Sequence, residues 1–221
     1  MSKKKHKVSA KYHTDQTSEY ESGSRGKVLK NLLGISSVSR MREQEFSGYL
    51  HAEREMTARF GKHHRFSVND IHSIHRMFLG AIYDWAGTPR TVNISKGGFP
   101  FATALALPQA LELFERNFLH RFTPCLQNEP DDVALSIAKV QVEFLLLHPY
   151  REGNGRTARL LATLMAYQAD LPGIDFGFIK SRGKEFDNYI RAIQAGINEE
   201  YGPMTQIVLR ALRRALRKTV P

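Results

Sequence analysis

The chain has 221 residues, 42% of them hydrophobic and 10% aromatic, enough apolar material for a sizeable core and too much for a disordered chain. Thirty-two basic residues against 22 acidic ones leave a formal charge of +10, which points to nucleotides, nucleic acid or an acidic protein as partner. Cys125 is the single cysteine, which rules out an internal disulfide, and no apolar run reaches the roughly 18–20 residues that a bilayer span needs. The lysine cluster at the start has no apolar stretch behind it, so the expectation is a cytoplasmic protein with no membrane partner.

In chain order, residues 1–19 are polar, basic and aperiodic and are expected to be a flexible N-terminal segment, with one domain over residues 20–221. Lys27 to Ile35 is mildly apolar, a short irregular or helical cover for the core. Met41, Glu45, Phe46, Tyr49, Leu50 and Met56 predict a surface helix from Ser39 to about Phe60. Ser67 with Asp70 three residues on is a helix start, and Ile71, Ile74, Phe78 and Ile82 carry that helix to about Trp85. Gly87-Thr88-Pro89 breaks the pattern. Arg90 to Phe101, alternating and then turning through Gly97-Gly98, reads as a short β-hairpin.

Pro108 opens the next helix, with Leu111, Phe114 and Phe118 on its buried face. After a loop from Thr123 to Asp132 comes the clearest stripe of the chain, Val133, Ile137, Val140, Phe144 and Leu147, which ends at His148 because Pro149 disfavours continuation. A further helix starts near Asn154 and runs to about Ala169. Phe186, Ile190, Ile193 and Ile197 mark another. The last follows Pro203, with Arg210, Arg213, Arg214, Arg217 and Lys218 opposite an apolar face. With no internal repeat and no shift in composition, the fold class is all-α, a single helical domain with a small β-hairpin.

The chemistry concentrates between the two most apolar helices, in His148-Pro149-Tyr150-Arg151-Glu152-Gly153-Asn154-Gly155-Arg156-Thr157-Ala158-Arg159. Glycines opening a helix let the backbone approach an anion while unpaired N–H groups point at it. Arg156 and Arg159 are three residues apart and share a helical face, so both can reach one polyphosphate. Glu152 is a carboxylate placed to hold Mg²⁺ against phosphate oxygens, and His148 is a base at the mouth of the loop. Singly, each piece has a plainer reading as a cap, a tight turn or a surface ion pair. Together, at this spacing, they form a parts list for nucleotidyl or phosphoryl transfer.

This stretch resembles the motif of the Fic family, His-x-Phe-x-(Asp/Glu)-Gly-Asn-Gly-Arg-x-x-Arg, at every signature position except Tyr150, where phenylalanine is usual. Val28 to Asn31, Ile82 to Gly87 and Arg90 to Gly98 are similar to the family's N-terminal region, pre-flap helix and flap. The resemblance implies a Fic-type domain that transfers AMP from ATP to a hydroxyl side chain of a target protein. It implies His148 as the base, Glu152 as the Mg²⁺ ligand, and Gly153, Asn154 and Gly155 as an anion hole. It also implies Arg156 and Arg159 as β- and γ-phosphate ligands. Ile94, Ser95, Lys96, Gly97, Gly98 and Phe101 would form a flap that docks the target by strand addition. Tyr189 would line the adenine pocket or be a helix residue half buried beside Phe186 and Ile193. Related Doc-type kinases carry lysine at the second glycine, so Gly155 favours AMP transfer over phosphoryl transfer.

Many relatives carry an inhibitory (Ser/Thr)-x-x-x-Glu-(Gly/Asn) helix. Thr17 to Glu21 is followed by Ser22 and Ser39 to Glu43 by Gln44, and neither fits. The resemblance is therefore to the class restrained by a separate small antitoxin, with a type II DNA topoisomerase subunit as the family-level candidate target. The rival readings are a nucleic-acid-binding module, resting on the basic last helix, and a metal site using His72 and His75 or His63 and His64.

Overall fold

A computed structural model describes residues 19–180 and 182–219; the segment expected to be flexible lies, but for Glu19, outside the described residues. Helix α1 (Val38–Arg59) turns Met41, Ala52 and Met56 inward, and with them Glu45. Helix α2 (Val68–Leu79) begins with the expected capping box. Asp70 N–H donates to the Ser67 hydroxyl, and the Asp70 carboxylate accepts from Ser67 N–H. This helix stops at Leu79 and does not continue to Trp85, because tighter turns follow Gly80: Ile82 N–H donates to Leu79 and Ala86 N–H to Tyr83. The Ile82 carbonyl instead accepts from Leu32 N–H, so the buried Ile82, Tyr83 and Ala86 reach the core from turns.

The hairpin is short and antiparallel. Strands β1 (Ser95–Lys96) and β2 (Phe99–Pro100) pair Ser95 with Pro100 and Lys96 with Phe99. Gly97 and Gly98 both have positive φ, 59° and 82°, as the two central residues of a type I′ turn require. A 3₁₀ turn (Ala104–Ala106) leads into α3 (Leu107–Phe114), whose path continues through a π turn (Glu115–Leu119) to His120–Phe122. From that turn Glu115 reaches back and accepts from Val68 N–H at the start of α2.

Helix α4 (Pro130–Leu147) is the axis of the fold, buried on most of its circumference. Around it pack α5 (Asn154–Gln168), α6 (Lys184–Ala195) and α7 (Gly202–Thr219). The basic face of α7 is largely occupied. Arg210 pairs with Glu185, Arg214 and Lys218 flank Asp175, and Arg210 lies 4.2 Å from the centre of the Phe178 ring. Residues 19–35 form an irregular strap closed by the side chain of Asn31, which bonds the backbone of Leu29, Leu33 and Ile35. None of the described helices is long and apolar enough to cross a membrane.

Candidate active site

His148 sits where α4 ends. Its N–H still donates to the Phe144 carbonyl, but its backbone is left-handed, φ 49° and ψ 57°, an uncommon conformation for a non-glycine residue. That turn swings the imidazole out of the helix. Its Nδ1 donates to the Leu145 carbonyl at 3.1 Å, which places the lone pair on Nε2. The ring is buried and stacks on Phe101 of the hairpin, centroids 3.9 Å apart. Burial pushes its pKa down to about 3 against the Leu145 bond, with Lys96 and Arg90 adding to the effect, so the ring is neutral at pH 7.

The loop that follows is fastened from behind. Asn154 exchanges two hydrogen bonds with the backbone of Tyr150, at 2.9 and 2.7 Å, so its side chain is committed within the loop. Tyr150 is fully buried and stacks on His75, and its hydroxyl bonds His72 Nδ1 at 2.7 Å. The hydroxyl that sets this residue apart from phenylalanine is thereby satisfied. His75 accepts from Gly87 N–H at Nδ1 and donates from Nε2 to the Glu152 carbonyl; burial holds its pKa down to about 4. His72 and His75 therefore brace the loop. His64 pairs with Asp70, and no group of three or more metal-ligating side chains occurs among the described residues.

The two glycines differ in what they do. Gly153 has φ +86°, and a Cβ there would lie 2.8 Å from Leu79 Cδ1 and 3.1 Å from His75 Nε2. Gly155 is in the first turn of α5, and a Cβ there would meet nothing within 4 Å.

Glu152 is buried and accepts from Gly153 N–H at 3.0 Å and from Arg156 Nη2 at 3.3 Å. The other arm of Arg156 reaches Glu45 of α1 at 2.8 Å, and Glu45 also accepts from the Tyr83 hydroxyl. Burial opposes the charge of Arg156, but Glu45 and then Glu152 outweigh it and raise its pKa. One turn on, the Arg159 guanidinium lies near the Phe176 and Tyr189 rings, 5.7 and 6.0 Å from their centres. Its buried Nε has no hydrogen-bond partner among the described residues.

These groups line one wall of a cavity of about 540 Å³. His148, Glu152, Gly153, Gly155, Arg156 and Arg159 all face it. The hairpin closes a second side with Lys96, Gly97, Phe99 and Phe101, and α6 a third with Phe186, Tyr189 and Ile190. The Lys96 ammonium lies 5.8 Å from the centre of the Phe186 ring and bridges those two sides. Ser95 and Gly98 are in the hairpin but do not line the cavity, and Ile94 is buried beneath it. Tyr189 lines the cavity and is buried rather than half buried, and its hydroxyl accepts from Gln141 at 3.4 Å.

Sequence reasoning missed the supports. In the sequence Glu45 shows only as part of a helix pattern, and Arg90 only as the start of a hairpin. No local signal marks either. Tyr150 did carry one, since a buried hydroxyl demands a partner, and that partner is His72.

A model of the Fic/DOC family matches residues 65–166. The chain is 29% identical over 146 residues to the protein adenylyltransferase VbhT of Bartonella schoenbuchensis, covering 64% of this chain and 29% of that protein. It is 29% identical over 159 residues to the "Probable protein adenylyltransferase Fic" of Escherichia coli, covering 67% of this chain and 74% of that protein. The fold is similar to the crystal structure of BepC from Bartonella tribocorum with bound AMPPNP. The TM-score is 0.64 at 20% identity, covering 83% of this chain and 91% of that one. The chain thus spans less than a third of the length of VbhT. The matched residues take in α2, the hairpin, α4 and the whole loop from His148 to Arg159, and it is over this stretch that the chain is similar to the Fic/DOC family.

Proposed function

We propose that the chain transfers AMP from ATP to a hydroxyl side chain of a target protein. The observation that carries this reading is a neutral, tautomer-fixed His148 opening onto a cavity walled by the glycine-rich start of α5 and by a hairpin. The names of the two relatives, and the AMPPNP bound by BepC, support it. In the reaction the acceptor oxygen bonds to the α-phosphorus, the bond to the bridging α–β oxygen breaks, and pyrophosphate leaves. His148 Nε2 takes the acceptor's proton. The backbone N–H groups at the start of α5 hold phosphate oxygens, and Arg156 and Arg159 hold the β- and γ-phosphates. The outer edge of the hairpin presents the target as an added strand. Tyr189 lines the base end of the cavity, beside Phe186 and Ile190.

One buried carboxylate, with no ligand cluster among the described residues, suits Mg²⁺ held mostly through nucleotide phosphates, with Glu152 as the protein ligand. When bound, the ion neutralises phosphate charge. The resemblance to the Fic motif supports AMP over phosphoryl transfer, because Gly155 stands where Doc-type kinases carry lysine.

The reading extends to control. Arg159 lines the cavity, where a carboxylate brought by a separate antitoxin would meet its guanidinium, since Glu21 is spent on Asn31 and Glu43 is exposed. The setting is the cytoplasm, with a type II topoisomerase subunit as a candidate target.

The test uses ATP labelled at the α- or the γ-phosphate, with Mg²⁺ and a bacterial lysate or purified topoisomerase. Protein label from the α position alone, abolished by His148→Ala, is the expected result. Label from γ alone would mean a kinase, and label from neither would sink the enzyme reading.

A further inference from the structure

We propose that Arg90 is a positioning residue that ties the hairpin and His148 together, so that one guanidinium sets the base and the strand-presenting edge in a fixed relation. Its part in acceptor presentation rests on the transfer reading; the tie itself does not.

Arg90 is buried, yet no carboxylate pairs with it among the described residues. Its bonds all go to backbone carbonyls. Nε donates to the His148 carbonyl at 2.9 Å, Nη1 to Val92 at 2.7 Å, and Nη2 to Ala102 and, at 3.3 Å, to Leu147. The Arg90 N–H also donates to the Pro149 carbonyl. These acceptors belong to two places only. Val92 and Ala102 stand on the two stems of the hairpin, just before Ser95 and just after Pro100. Leu147 and His148 end α4, where the last carbonyls have no partner within the helix and the helix dipole is negative. The planar fork of arginine can serve both at once, with its donors held in fixed directions.

The consequence is mechanical. The left-handed turn at His148 persists only if its surroundings hold it, and Arg90 bonds the carbonyl of that very residue. The same fork fixes the stems, which sets where Phe101 stacks on the imidazole. Arg90 does not line the cavity, so it acts through the backbone of other residues.

The test compares wild type, Arg90→Lys and Arg90→Met. Lysine keeps the charge but offers a point donor in place of a fork; methionine leaves the carbonyls unpaired. Three readouts need no acceptor: amide hydrogen exchange over residues 93–101, the NMR titration of the His148 ring, and AMPPNP affinity. Both variants should show faster exchange across the hairpin and a His148 titration moved up towards that of an exposed histidine. AMPPNP affinity should hold, because Arg90 touches none of the residues between Gly153 and Arg159. Arg90→Lys should fall between the other two proteins. Where transfer is observed, its kcat should drop by about 10- to 100-fold, the scale of a misplaced reacting group. The proposal is overturned if a folded variant keeps wild-type exchange and His148 titration. It is also overturned if nucleotide affinity collapses with them, or if neither variant folds, since Arg90 would then be a keystone of the core. Absence of transfer in wild type would sink the enzyme reading and leave the exchange and titration results to decide on Arg90.

Discussion

His148 and His75 are neutral for the same reason, and that reason has a consequence for stability. Burial lowers their pKa values to about 3 and about 4. In the unfolded chain each returns to about 6.5. Below that pH the unfolded state binds protons that the folded state refuses, so the stability present above pH 6.5 drains away as pH falls towards the folded values. The expected slope is about 1.4 kcal/mol per pH unit for each ring. Urea midpoints should therefore decline steadily from about pH 6 to about pH 4, and His148→Ala should shallow that slope. The depressed carboxylate of Asp70 contributes only at still lower pH, below its ordinary range. A midpoint that is flat across the window would contradict the burial of both rings.

Between α4 and α5, the loop uses its glycines in opposite ways, and substitution separates them. Gly153→Ala places a methyl against Leu79 and His75 in a conformation of positive φ, at a cost of about 1–3 kcal/mol. It should lower the melting temperature and loosen the loop that His75 holds through the Glu152 carbonyl. Gly155→Ala meets nothing and lies in a helical turn, where alanine is favoured by up to about 1 kcal/mol. It should leave stability unchanged or slightly raised while weakening AMPPNP binding, because the methyl enters the cavity. Calorimetry on the two variants, thermal and titration, gives both readouts. Equal loss of stability in the two would contradict this division.

The molecule as a whole depends on what packs against α4. At the end of α6 the chain turns through Gly196, where a Cβ would sit 2.1 Å from Val142 Cγ1 of α4 and 3.3 Å from Leu146. In Gly196→Ala the alanine has no rotamer with which to turn away, so either the buried Val142 leaves its rotamer or α6 shifts off α4. Overpacking of this kind costs about 1–3 kcal/mol. Either way the variant should lose thermal stability, and because α6 carries Tyr189 and the cavity wall, a shift of α6 should cost nucleotide affinity as well. The basic residues left exposed on α7, Arg213 and Arg217, belong to neither packing nor cavity. Reversing both charges should change melting temperature and AMPPNP affinity little. Salt-dependent binding of the wild type to random duplex DNA, lost in that variant, would revive the nucleic-acid reading.

Much of the site could be read from residues alone because its determinants are local. Pro149 stops α4 at His148, Ser67 and Asp70 start α2, and paired glycines turn the hairpin, all within a few residues of one another. The spacing of His148, Glu152, Arg156 and Arg159 is local in the same sense, and it was enough to suggest the chemistry. The supports were different. Glu45 meets Arg156 across 111 positions, His72 meets Tyr150 across 78, and Arg90 meets His148 across 58. Such pairs exist only once the helices have packed, because a polar group seeks whatever partner burial leaves within reach. The early end of α2 has the same cause, the Ile82 carbonyl being taken by Leu32 from fifty residues upstream. Sequence by itself therefore determined the parts of the site and the elements that carry them. Only the tertiary structure decided how those parts are held, because buried hydrogen bonds pair groups by proximity in space and leave no periodic mark in the chain.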